Sequence, residues 1–143
     1  MNSTKLIVVL GMHRSGTSAV AGALSVLGVR LGDELIQPGV DNPKGFFEDK
    51  DIVELNNEML SYLGKAWFSL FLPSEKDISS LVSAGYLEKA KALLRSKTSN
   101  AQIFGFKDPR VSKLLGFWMH VFNDLCFEVH YILCVRNPLS VAH

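Results

Sequence analysis

The stretch Gly11-Met12-His13-Arg14-Ser15-Gly16-Thr17-Ser18 has the residue types and spacing best suited to chemistry. It follows the apolar run Leu6 to Leu10 and leads straight into a helical pattern, giving the frame G-x-x-x-x-G-T-S at a strand-to-helix turn. Gly11 and Gly16 allow a tight backbone path along which successive N–H groups converge on one anion. The helix start adds unpaired donors and the positive end of its dipole. Ser15, Thr17 and Ser18 bring hydroxyls, and Arg14 brings a permanent cation with a bidentate fork. Threonine stands where the ATP-binding form of this loop carries the lysine that reaches the β- and γ-phosphates. The magnesium-holding aspartate is missing too: Val135 leads to Arg136, a cation, where such an acid could stand. The loop therefore suits an anion held without a metal. The plainer reading is a Gly-rich turn with a solvated Arg14, which leaves the agreement of strand, spacing and helix unexplained.

Such a loop works only on a frame that fixes it. Leu6 to Leu10, Ile103 to Phe106 and Val129 to Val135 read as strands buried on both faces of a parallel sheet, with Gly45 to Glu48 as a shorter fourth. Helical patterns run over Thr17–Leu27, Asp51–Leu63, Tyr86–Lys97 and Arg110–Phe122. The last carries Val111, Leu114, Leu115, Trp118, Met119 and Phe122 as an inward stripe. The fold class is α/β: a P-loop-type parallel sheet of about four strands flanked by helices. The segments Gly32–Lys44 and Trp67–Ser80 take no assignment, and the first is long enough to be a functional loop.

The 143 residues fit one domain, with 48% apolar and 20% charged side chains. A net charge of +1 creates no global field for nucleic acid or an anionic membrane. The start of the chain lacks the long apolar region of a signal peptide, and no stretch approaches the roughly 18 apolar residues of a spanning helix. Cys126 and Cys134 sit among apolar neighbours and read as buried free thiols, which points to the cytoplasm. Pro138 opens a helical turn shortly before His143, and the pattern reads as the N-terminal portion of a longer fold.

Two segments resemble one known family. A strand, then Arg-Ser-Gly-Thr-Ser at Arg14 to Ser18, then a helix is similar to the 5′-phosphosulfate loop of the sulfotransferase superfamily, its bacterial branch above all. A strand followed by Val135-Arg136-Asn137-Pro138 resembles that family's 3′-phosphate segment. The resemblance implies a cofactor, 3′-phosphoadenosine-5′-phosphosulfate (PAPS, leaving as PAP), and no metal. Arg14, Ser15, Gly16, Thr17 and Ser18 would hold the 5′-phosphosulfate, and Arg136 the 3′-phosphate. The family's partner serine would lie just beyond His143, so the resemblance covers most of this chain and lacks the family's C-terminal part.

Sulfuryl transfer needs a base for the acceptor proton and cations at the sulfonate. Glu48 is the first candidate base, at the end of the fourth strand and beside the loop; its plainer role is an acid near the start of a helix. Lys107-Asp108-Pro109-Arg110 resembles the family segment whose lysine faces the reacting sulfate, so Lys107 takes that role. Asp108 is the fallback base, although ahead of Pro109 it also suits an N-cap. Lys44 reads as solvated. His13, His120, His130 and His143 form no metal set, and Trp118, Met119 and Phe122 read as core. The expected activity is PAPS-dependent sulfuryl transfer. A P-loop kinase for a small molecule or nucleotide, and a non-catalytic PAP- or PAPS-binding module, are the alternatives. The acceptor, whether small molecule, glycan, lipid or peptide, is open, as is the oligomeric state.

Overall fold

The computed structural model describes residues 4–142, so His143 lies outside the described residues. Element order is β1 (Lys5–Leu10), α1 (Thr17–Val26), α2 (Lys50–Tyr62), α3 (Glu75–Ser83), α4 (Tyr86–Thr98), β2 (Ile103–Lys107), α5 (Pro109–Asp124), β3 (Glu128–Leu133) and α6 (Pro138–Ala142). The class is α/β, with helices around a parallel sheet of order β2-β1-β3. Lys5 is in register with Ile103 on one side and Glu128 on the other, so β1 is central.

Side-chain alternation along β1 builds two cores. Leu6, Val8 and Leu10 face the larger one, filled by Ile52, Met59, Leu94, Leu114, Phe117, Trp118 and Phe122 from α2, α4 and α5. Ile7 turns the other way and packs with Ala21 of α1, Val29 and Leu31. Three helix starts are set by short polar side chains. Asp49 accepts the N–H groups of Asp51 and Ile52, Asp108 accepts that of Arg110, and Ser74 forms a capping box with Asp77. Asp49 also accepts from the N–H of Asp33 (3.1 Å) and from the buried Lys97 ammonium (2.9 Å), tying α2 to α4.

Five expectations are corrected. Among the described residues the sheet has three strands, not four: Gly45 to Glu48 is irregular, because Phe47 has φ 55° and a left-handed residue cannot continue an extended strand. The segment Trp67–Ser80, which takes no assignment from sequence, contains the start of a helix, Glu75–Ser83, that buries Ile78 and Leu81. β3 is not buried on both faces: it is an edge strand paired with β1 alone, and Tyr131 and Leu133 are exposed there. Cys126 is exposed and Cys134 half-buried, and Met119 points outward while Phe117 and Val121 take the inward face. Among the described residues no helix is long and apolar enough to cross a membrane.

Candidate active site

The loop after β1 is shaped by close contacts as well as by φ. Arg14 and Gly16 lie at φ 63° and 86°, and the Ser15 N–H closes a turn onto the Met12 carbonyl at 3.3 Å. At Gly11 (φ 156°) a Cβ would stand 2.7 Å from Thr17 Cγ2 and 2.9 Å from the Cys134 carbonyl, so only glycine fits between α1 and the end of β3. Ser112 of α5 clamps the same residue: its hydroxyl accepts from the Gly11 N–H at 3.0 Å and donates to the Gly11 carbonyl at 3.3 Å. No side chain caps the first turn of α1, unlike the starts of α2, α3 and α5. Arg136, after β3, donates from Nη1 to the Arg14 carbonyl at 3.1 Å and so reaches the loop across 122 residues of chain.

Beneath the loop lies a buried polar chain. Lys107 ends β2 and directs its ammonium at three acceptors: Ser18 Oγ (3.0 Å), the Phe46 carbonyl (2.8 Å) and Glu48 Oε1 (2.7 Å). Those three use all its N–H bonds. Ser18 Oγ also accepts from Asn42 Nδ2 at 3.3 Å, which joins the loop 32–44 to the start of α1. Arg110 lies between two carboxylates, with Nη1 2.8 Å from Asp108 Oδ1 and 3.7 Å from Glu48 Oε2. Its buried Nε has no hydrogen-bond partner among the described residues. Asp108 takes a further bond from Asn56 Nδ2 at 2.8 Å, and Asn56 Oδ1 accepts from Trp118 Nε1 at 2.9 Å, so the chain ends in the main core.

The electrostatics follow from that burial. Desolvation pushes the Glu48 carboxyl above the ordinary glutamate range; the Lys107 ammonium pulls it back only in part, and Asp108 adds to the rise. Burial first, and the Arg110 charge second, lower the His13 imidazole.

A cleft of about 660 Å³ opens over these groups. It gathers Arg14, Gly16, Thr17, Ser18, Glu48, Lys107 and Arg136 from the sequence-derived set. Ser15 is outside its lining, and Asp108 is fully buried behind Arg110, where it caps α5 and has no access to a ligand. Glu48 does not start a helix; Asp49 does. Arg110, Asn42 and Trp67, none of them among the individually expected site residues, also line the cleft. Arg110 was legible as a cation two residues past an N-cap, whereas Asn42 and Trp67 sit in the two unassigned segments. A larger, shallower groove of about 780 Å³ runs along α2, where Lys50 and Glu58 are already paired with Glu34 and Lys89.

No family model matches the chain, and no curated protein matches it. Among solved structures, a provisionally assigned kinase from Chloroflexus aurantiacus is similar, with 20% identity and a TM-score of 0.44. The likeness covers 94% of this chain and 61% of that one, so this chain spans less than two thirds of that protein. At that level of likeness its activity does not transfer.

Proposed function

We propose that this chain belongs with the sulfotransferases and carries the donor half of a site for PAPS-dependent sulfuryl transfer. One observation carries the reading: the Lys107–Glu48 pair opens into the same cleft as the anion loop and Arg136. Three features fit a phosphosulfate there. The close approach at Gly11 narrows the loop, α1 starts without a side-chain cap, and two arginines stand at the rim. When bound, PAPS supplies an activated sulfuryl group.

The residues then divide the work. Loop N–H groups, Thr17 and Arg14 bind the 5′ end, and Arg136 binds the 3′-phosphate. Lys107 neutralises the sulfonate, with Arg110 as a second fixed cation beside it. Glu48 accepts the acceptor's proton. Its raised pKa suits that role, because a carboxylate shifted upward is a stronger base than an ordinary glutamate.

The test is calorimetric titration with PAP, beside ATP with and without magnesium, on the parent chain and on Arg14→Ala and Arg136→Ala. Metal-independent PAP binding, weakened by both substitutions, is the expected result. Binding of magnesium-ATP in place of PAP would sink the reading and favour a kinase. PAP binding with no transfer from PAPS to any acceptor hydroxyl or amine would leave a binding module.

A further inference from the structure

Part of the cleft lining is unlike the donor-binding residues. Trp67, Phe46 and Ile36 carry no charge there, and Asp41, Asn42 and His13 are further polar groups lining the same cleft. Trp67 is 47% exposed, with its ring centroid 5.0 Å from His13 at an interplanar angle of 62° and 5.5 Å from Phe68 at 89°. Its backbone is pinned: the Lys113 ammonium donates to the Trp67 carbonyl at 2.7 Å and to the Ser69 carbonyl at 2.6 Å. The Ala66 N–H meets Ser69 Oγ at 3.0 Å, closing the turn from within. A large indole held half open at a cleft by a cation on its own main chain presents a stable apolar surface to whatever enters.

The groups around it decide what kind of ring fits. A pocket for an aryl group encloses the ring with apolar walls. Here the cleft that holds the indole is also lined by an exposed carboxylate, Asp41, and by the His13 imidazole beside Trp67, whose pKa is lowered by burial and by the Arg110 charge. That combination suits a ring with an apolar C–H face and a rim of hydroxyl groups. Asp41 is a strong acceptor for such hydroxyls, and neutral His13 both donates and accepts.

We propose that Trp67 is the platform of an acceptor subsite for a hydroxylated, non-aromatic ring of pyranose type, stacked by its C–H face, with Asp41 and His13 bonding its hydroxyls. Only the word acceptor rests on the sulfuryl-transfer reading; the ring site itself stands without it. Trp67 is thereby a specificity-determining residue.

Intrinsic emission gives a direct test, because Trp67 and Trp118 are the two tryptophans and Trp118 is fully buried. The parent chain is titrated with methyl β-glucoside, methyl β-galactoside, maltose and benzyl alcohol, with and without PAP. The expected result is a saturable emission change with at least one sugar. It disappears in Trp67→Ala, whose remaining Trp118 reports folding. In Asp41→Asn the sugar midpoint rises about tenfold, as for loss of a charged hydrogen bond, with benzyl alcohol unaffected. A response to benzyl alcohol alone, no saturable response to any of the sugars, or an unchanged midpoint in Asp41→Asn overturns the proposal. Failure of PAP to bind by calorimetry removes the donor reading while the emission result still decides the ring site.

Discussion

Lys107 Nζ lies 2.7 Å from Glu48 Oε1, with the two side chains 3% and 8% exposed, and the lysine has no N–H left for a ligand. An anion arriving at Lys107 must therefore displace one of three acceptors. Ser18 is also held by Asn42 and the Phe46 carbonyl by Ser18, whereas the Glu48 carboxylate has a second cation, Arg110 Nη1, at 3.7 Å to turn towards. For the proposed reaction, loading the donor and releasing the base would then be one event.

Removing the lysine strands a carboxylate. Lys107→Met is expected to destabilise the fold by about 3–5 kcal/mol at neutral pH, the range for breaking one side of a buried pair. The double variant Lys107→Met/Glu48→Leu recovers most of that stability while still failing to bind PAP. Urea unfolding of the two variants checks this; equal losses in both contradict it.

The pH dependence has a fixed sign. Burial raises the folded-state pKa of Glu48, so between the unfolded and folded values the folded chain holds more protons than the unfolded one. Stability then falls as pH rises from the ordinary glutamate range through the folded value, and levels off above it. Glu48→Gln lowers stability overall by leaving Lys107 without its counter-ion, yet removes this component of the slope. Urea midpoints across a pH series, compared between the two chains, measure it; parallel curves refute the assignment. For the proposed reaction, transfer rises with pH through the same folded value as Glu48 loses its proton.

The loop glycines are not equivalent. Gly16→Ala meets nothing within 4 Å and incurs only the penalty of φ 86°, about 1 kcal/mol. Gly11→Ala drives a Cβ against Thr17 and the Cys134 carbonyl, and is expected to cost at least about 2 kcal/mol more. Denaturation midpoints rank the two, and PAP titration shows whether Gly16→Ala also loses the anion.

Thiol labelling separates the cysteines. Cys126 is exposed and reacts at the rate of a free thiol, whereas burial raises the Cys134 thiol and slows it. Two kinetic phases of equal amplitude are expected with a chromogenic disulfide under native conditions. A single fast phase shows that Cys134 is as open as Cys126.

Much of the frame was legible because local signals agreed with one another. β1, the glycine loop and α1 follow in an order that only a strand-turn-helix satisfies, and Asp108-Pro109 announces the start of α5 within a residue. The helix at 75–83 carried a signal that went unused: Ser74 and Asp77 have capping-box spacing, and Ile78 and Leu81 follow at i and i+3. Gly45 to Glu48 misled because its apolar content suited a strand, while the left-handed turn at Phe47 depends on tertiary packing rather than on residue type. The exposure of Tyr131 and Leu133 was equally hidden, since an apolar run states what could be buried and the strand's place in the sheet decides what is. Glu48, Lys107, Arg14 and Arg136 do reach one cleft. Asn42 and Trp67 join them through contacts spanning 24 and 46 residues, which no local pattern encodes.

The central position of β1 bears on how the molecule assembles. The first strand in the chain pairs only with β2 and β3, so Lys5 waits for Ile103 and Glu128, separations of about 100 residues or more that make for slow folding. Until those late segments are in place, Gly11 lacks both its Ser112 clamp and the Cys134 wall, and the glycine loop proposed to bind the anion is not fixed. A partly folded chain thus cannot bind at low affinity and be pulled forward by its ligand. Ligand added during refolding should leave the folding rate unchanged and slow only unfolding, which makes binding a readout of the finished fold.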